Sequence, residues 1–308
     1  MNSLWIDADM GFDDMLAIMM VDHSTRMIAG CSLVFGNAPL PQVCKNAASM
    51  SATFNWTFPI HIGAAKPLVG DLVTAGHVLG PTGLPTLGRA LPDADPLPQR
   101  AAALAALVQW LENADGKAEL LALGPLTNIA ILCLARPDLL PQLQCITWMG
   151  GGATSGNHTA SAEFNAFADP EAAAIVCASG VPFKMVDLDA CRQVTVSPAD
   201  LIGLQKTDTP KAALLHDLFG GYINIGISKG RESMALYDPV AAAPLIDKTT
   251  LAFQTMSIAV ECAGNLTRGR TVIDASAKGT GGTQLGTRAN ATRIREMALS
   301  TLLEAAAG

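Results

Sequence analysis

Basic runs, paired cysteines and long apolar stretches are all missing from this chain. Lysine and arginine number 20 against 27 aspartates and glutamates, a formal net charge of −7, and the basic residues do not cluster. That excludes nucleic acid as a partner, because neutralising phosphates needs grouped Lys and Arg. The seven cysteines (Cys31, Cys44, Cys133, Cys145, Cys177, Cys191 and Cys262) stand singly in apolar segments, and none forms C-x-x-C. An odd, unpaired set reads as buried thiols in a reducing compartment. No apolar stretch reaches the ~18 uncharged residues a membrane span needs. No basic region with a cleavage site precedes the first strand, so no signal peptide is read. These absences lead to the expectation of a soluble, cytoplasmic protein. Aromatics are scarce at 5%, but half the chain is hydrophobic, so a large core is within reach.

What is present is a regular alternation. SLWIDA, MIAGCSLVF, FPIHIGA, AELLALG, LQCITWMGGG and VPFKMVDLD read as strands. Between them DDMLAIMMV, PQVCKNAASMSATF, QRAAALAALVQWLENA, LTNIAILCLARP and DPEAAAIVCASG read as helices. Pro170 in the first turn of the last helix and Gly180 at its end fit that reading. The strands are apolar throughout, as strands covered on both faces are. The expected fold is therefore α/β, an open, mostly parallel, Rossmann-like central sheet with helices on both faces. Residues 253–275 add a β-hairpin around GNLTRG, and a C-terminal helix follows over about 290–306. Residues 64–98 are rich in Gly and Pro and too long for an ordinary connection, which makes them a candidate lid. With no composition shift and no internal repeat, residues 1–308 read as a single domain.

The densest chemistry lies in DADMGFDD, Asp7 to Asp14, directly after the first strand. Ligands of open α/β sheets bind at the carboxyl ends of strands. Gly11 permits a tight turn, and Asp13 and Asp14 then open a helix, where the dipole favours carboxylates. Capping the helix accounts for one or two aspartates, not four. Four carboxylates repel unless a cation offsets them, and oxygen-only ligands select hard cations, Ca2+ or Mg2+. The EF-hand pattern fails, since its fifth, sixth and twelfth positions fall on Gly11, Phe12 and Ile18. A haloacid dehalogenase-type phosphatase also places D-x-D after its first strand, but Gly11 stands where Thr or Val is usual. That reading is the alternative.

The stretch resembles the N-terminal signature of the nucleoside hydrolases of the inosine-uridine-preferring type, roughly D-x-D-x-G-x-D-D. Further blocks resemble that family in the same order. They are VFGN ending at Asn37, LGPLTNIA (Leu123 to Ala130), MGGGATSGNHTASAEFNAFADPEAA (Met149 to Ala173) and YDPVAA (Tyr237 to Ala242). The resemblance implies a Ca2+-dependent hydrolase that splits ribonucleosides into free base and ribose, with a role in nucleoside salvage. It implies a metal site of Asp9, Asp14, the backbone carbonyl of Leu123 and Asp238, with Asp7 behind it. Asp13, Asn37, Asn157, Glu163 and Asn165 are implied partners of the ribose hydroxyls, and Met149 and Phe164 of the sugar and base. The residue chemistry agrees, because a vicinal diol suits carboxylates and amides. GGG is not a phosphate loop, since no G-K-[ST] follows.

The implied catalytic residues are Asp9, which takes a proton from water, Asn165, which holds the sugar near its ring oxygen, and Tyr237. Members of the inosine-uridine type carry histidine where this chain has Tyr237. Members that prefer purines carry an aromatic there, so purine preference is the expectation. Tyr237 stacks on the base or donates its hydroxyl. His77 and His158 are candidate base contacts, although Leu79 stands where many members have histidine before glycine. A ribonucleoside is the expected partner, and the family implies a homodimer or homotetramer. A binding protein for ribose that has lost turnover is a further alternative.

Overall fold

The computed structural model describes residues 3–114, 118–276 and 282–308. Its central sheet contains β1 (Ser3–Ala8), β2 (Met27–Leu33), β3 (Ile60–Ile62), β4 (Ala118–Ala122), β5 (Leu143–Met149) and β6 (Phe183–Val186). In space they run β3-β2-β1-β4-β5-β6, all parallel. Strand Thr283–Ala289 adds to β6 in parallel, and Leu251–Thr255 closes the edge antiparallel to it. The chain winds outward from β1 in both directions. The strand order therefore reverses between β1 and β4, and a ligand crevice opens there above the carboxyl ends.

Successive strand residues feed opposite faces of the sheet. Leu4, Ile6 and Ala8 join one apolar layer with Leu121 and Met149, whereas Trp5 joins the other with Leu120, Ala122, Ile146 and Trp148. Helices Phe12–Asp22, Asp238–Ile246 and Ala291–Ala307 cover the first face; Ala103–Glu112, Thr127–Ala135 and Pro170–Cys177 cover the second. Each fully buried Leu, Ile or Met contributes about 1.5–3 kcal/mol. Helix Phe12–Asp22 is buried without a break from Met15 to Val21, so it shows no polar stripe. The α/β, Rossmann-like reading of the sequence matches this architecture. No helix among the described residues is long and apolar enough to cross a membrane.

The expected hairpin forms from Ser257–Val260 and Thr271–Asp274, narrower than residues 253–275. Leu251–Thr255 goes to the sheet edge instead, because Thr283–Ala289 offers it a partner. That partner strand, TQLGTRA, has one large apolar residue and gives no strand signal in sequence. Helix Pro210–Ile227 was also not expected; it is buried on nearly every side, which erases its periodicity. Thr209 caps it by accepting from Ala212 N at 3.0 Å.

Within residues 64–98 the described regular structure is one short helix, Gly76–Leu79. The stretch is strapped to helix Pro210–Ile227 further along. Leu87 N donates to Asp217 O at 3.0 Å, and Arg89 Nη1 meets Asp217 Oδ2 at 3.0 Å. The strap lies so close that a Cβ on Gly221 would strike the Pro85 carbonyl oxygen.

Candidate active site at the strand ends

At the end of β1 the backbone makes a sharp turn through Met10, whose φ is +54°. For a non-glycine residue this left-handed conformation costs about 1–2 kcal/mol. Packing offsets the cost: Met10 is fully buried and its carbonyl accepts from Asn46 Nδ2 at 3.2 Å. The turn aims Asp9 into the crevice and starts helix Phe12–Asp22. Asp14 then caps that helix from its third position, accepting from Gly11 N at 2.8 Å and Asp9 N at 3.0 Å.

Asn37 stands in the loop after β2 and clamps Asp9. Its backbone N–H donates to Oδ2 at 2.8 Å and its side-chain amide to Oδ1 at 2.7 Å. The same amide reaches Asp14 Oδ2 at 3.1 Å. Neighbouring Gly36 is required by the close approach, since any Cβ there would strike Asp9 Oδ2. Asp238 is the first residue of its helix and lines the same crevice.

Oxygens of Asp13, Asp14 and Asp238 lie within 4.8 Å of one another. Asp9 lies beside them, and Leu123, just past β4, lines the same cavity. Two of the three carboxylates implied as metal ligands thus fall in the tight group. The third place is taken by Asp13, implied for the ribose, while Asp9 is turned toward Asn37. The Leu123 carbonyl oxygen accepts from Asn165 Nδ2 at 2.9 Å. The same nitrogen reaches the Met149 carbonyl at 3.0 Å, so one amide ties the ends of β4 and β5 together.

No lysine or arginine pairs with this group among the described residues. Burial, more than any other cause, raises the pKa of all four carboxyls. Repulsion from Asp14 adds to the rise for Asp9 and Asp13, and Asp13 reaches about 7. Repulsion from Asp13 adds to it for Asp238. Uncompensated buried carboxylates are costly unless a cation joins them. Their oxygen-only donor set fits a hard divalent ion.

The opposite wall is the loop after β5. Gly151, at φ +76°, donates its N–H to Glu163 Oε2 at 2.9 Å. Glu163 also caps helix Phe164–Ala168, accepting from Asn165 N at 2.8 Å and Ala166 N at 3.0 Å. Burial nonetheless pushes its carboxyl up to about 7. Asn157 Oδ1 accepts from Phe164 N at 2.9 Å. Asp7 lies beneath the crevice and does not line it. Its Oδ1 accepts from Asn128 Nδ2 at 2.8 Å and from the Ser32 hydroxyl, while its buried Oδ2 has no partner. Burial pushes Asp7 up to about 7.

One cavity of about 270 Å³ gathers these groups. It is lined by Asp9, Asp13, Asn37, Leu123 and Asp238, and by Met149, Asn157, Glu163, Phe164 and Asn165. Tyr237, His77 and His158 also line it. Tyr237 is half-buried, and burial pushes its phenol up to about 12. Tyr222, Lys229 and Arg231 were missed by sequence reasoning. The Tyr222 hydroxyl donates to Ala235 O at 2.7 Å and lies beside Asp13, and its ring packs on Phe12 at 5.2 Å. The buried helix carrying Tyr222 gave no signal that could have found it.

The sequence matches the family model described as inosine-uridine preferring nucleoside hydrolase over residues 4–302. The chain belongs to this family. It is 32% identical over 278 residues to the pyrimidine-specific ribonucleoside hydrolase RihB of Escherichia coli, covering 87% of this chain and 86% of that protein. A solved inosine-guanosine nucleoside hydrolase superposes with a TM-score of 0.87 at 27% identity, over 98% of each chain. The purine-preferring ribonucleoside hydrolase of Gardnerella vaginalis shares the fold, with a TM-score of 0.91 at 23% identity over 99% of each chain. As a nucleoside hydrolase, the protein hydrolyses the N-glycosidic bond of ribonucleosides.

Proposed function

We propose that this ribonucleoside hydrolase depends on Ca2+ and accepts purine ribonucleosides. The ion would be held by Asp9, Asp14, Asp238 and the carbonyl oxygen of Leu123. The observation that carries the reading is the group of Asp14 and Asp238, buried, and Asp13, partly buried, without a basic partner among the described residues, at the reversal of strand order. When bound, the ion supplies positive charge that holds the ribose diol and lowers the pKa of water.

The rest of the chemistry falls to the chain's own residues. Bond cleavage passes through an oxocarbenium-like state. Asp9, oriented by its two hydrogen bonds from Asn37, takes the proton of the attacking water. Asp13, Asn37, Asn157, Glu163 and Asn165 hold the ribose hydroxyls, and Asn165 also keeps the sugar near its ring oxygen. The surrounding carboxylates favour the positive charge that develops on the sugar. Met149 and Phe164 pack on sugar and base. The Tyr237 ring offers a face on which a purine stacks.

A second reading, pyrimidine preference, is favoured by the similarity to RihB, named as pyrimidine-specific. The test is a panel of inosine, guanosine, adenosine, uridine and cytidine scored by reducing-sugar release, with Ca2+, Mg2+ or chelator. Activity with Ca2+ that chelator abolishes, strongest on the purines, is the expected result. No sugar release from any member would reject hydrolysis by this site. Release of phosphate from phosphomonoesters, or binding without turnover, would favour the phosphatase or ribose-binding alternatives.

A further inference from the structure

Breaking the bond to the sugar leaves an electron pair on the base, and the departing nitrogen needs a proton. The groups that line the cavity offer few donors. Tyr222 has committed its hydroxyl to Ala235, and the Tyr237 phenol is a weaker acid than usual. Arg192 is engaged with Asp189 at 3.2 Å, Ser155 at 2.9 Å and the Gly156 carbonyl at 3.1 Å. A guanidinium holds its protons at any working pH. Arg231 is a guanidinium too, Lys229 is an ammonium, a group that holds its proton to high pH, and Glu163 accepts from three backbone N–H groups. The lining side chains of the type that exchanges protons near neutral pH are two histidines.

The chain has five histidines. Three have side-chain partners elsewhere: His61 Nδ1 meets Ala101 O at 2.9 Å, His216 meets Asp217 at 2.9 Å, and His23 meets Glu304 at 3.4 Å. His77 and His158 instead line the cavity from two different segments. Their rings stand edge to face, 5.5 Å apart at 74°. His158 is held in place from behind, its ring 4.4 Å from Phe167 and 5.5 Å from Phe164. Its loop is tight, with the N–H groups of Asn157, His158 and Thr159 all donating to Ala162 O at 3.2 Å. Arg192 pins that loop at Gly156.

We propose that His77 and His158 together form the acid that protonates the departing base, a deepening of the hydrolase reading on which it rests. The C1′–N bond breaks with both electrons going to the base. An imidazolium N–H of the pair gives its proton to the base, water oxygen bonds C1′, and the water's proton goes to Asp9. The pair regains its proton from solvent. A charge on one ring disfavours charge on the other, and burial, reinforced by His77, pushes His158 down from its ordinary value, so its imidazolium gives up a proton more readily. The charged groups that share the cavity with the pair are Asp9, Asp13, Glu163 and Asp238, together with Arg192, Lys229 and Arg231.

The test uses the full-length His77→Gln/His158→Phe double variant, in which a phenyl ring in place of the second imidazole keeps the packing but carries no proton. Two substrates are compared in Ca2+: the best nucleoside of the panel, and p-nitrophenyl β-D-ribofuranoside, whose nitrophenolate leaves without protonation. Expected is a fall in kcat of about 100-fold or more on the nucleoside, with loss of the basic limb of its pH profile. On the nitrophenyl riboside the fall is no more than about threefold, a contrast that a structural role would not produce. Equal losses on both substrates, or no loss on either, overturn the proposal. If the wild-type protein cleaves neither substrate, the hydrolase reading falls and the proposal with it. Cleavage of both by wild type with an unaffected double variant overturns the proposal alone.

Discussion

Removing divalent ions from the protein should make its stability fall as pH rises. In the folded state burial raises the carboxyls of Asp9, Asp13, Asp14 and Asp238. A carboxyl whose folded pKa is raised contributes stability below its unfolded pKa of ~4 and loses it as pH climbs through the folded value. For Asp13 that folded value is about 7. At 1.36 kcal/mol per unit, its move from 3.8 corresponds to roughly 4 kcal/mol. Solvent screening reduces that figure, because Asp13 is only partly buried. Above pH 7 the ion-free protein carries this repulsion in full. A cation bound only by the folded form restores about 2.7 kcal/mol at 100 times its Kd. For a chain of this size that is a Tm rise of about 4 °C. Differential scanning calorimetry of chelated protein, with and without Ca2+, across pH 5 to 8 measures both effects. The Tm of chelated protein should drop toward pH 8, and the Ca2+ shift should be largest there. A flat or rising Tm without ion, or a Ca2+ shift no larger at pH 8 than at pH 5, would refute the reasoning.

Three further outcomes follow. Asp9→Asn should lower kcat by about 10²–10⁴-fold at saturating Ca2+; steady-state kinetics on the best nucleoside checks it, and a rise in KM with kcat unchanged would count against a base role. Tyr237→Phe should keep kcat within about threefold, since stacking survives loss of the hydroxyl, whereas a large drop would return proton donation to Tyr237. Glu163→Gln should destabilise the fold by about 1–3 kcal/mol, because its carboxylate accepts three backbone N–H groups and an amide turns donors toward at least one of them. Urea unfolding at fixed Ca2+ measures this change.

The sequence carried the sugar side of the site further than the base side, for a physical reason. Asp9, Asp13 and Asp14 are close in the chain because one strand end and one helix start present them, so spacing alone brought them together. Asn37, Leu123 and Asp238 were reached through the family resemblance, and each also follows a strand or opens a helix, where parallel sheets place their ligands. That Asp13, not Asp9, stands in the tight carboxylate group depends on the clamp from Asn37, which no local pattern encodes. Tyr222 is set by its ring contact with Phe12 across the core, and Lys229 and Arg231 by where the buried helix ends. The strand Thr283–Ala289 was hidden in the same way, since its place is decided by β6 and Leu251–Thr255 on either side of it.

The strap at Pro85–Arg89 rests on the same helix whose next turn supplies Tyr222 and Ile225 to the cavity. Upstream in the strap's own segment is His77. Two walls of the base side therefore share one hinge point at Asp217–Gly221. A side chain at Gly221 would push on the Pro85 backbone, and so on the segment that carries His77, from the same helix that carries Tyr222. Changing which base the pocket takes would call for paired substitutions on the segment and the helix, not single changes on one of them.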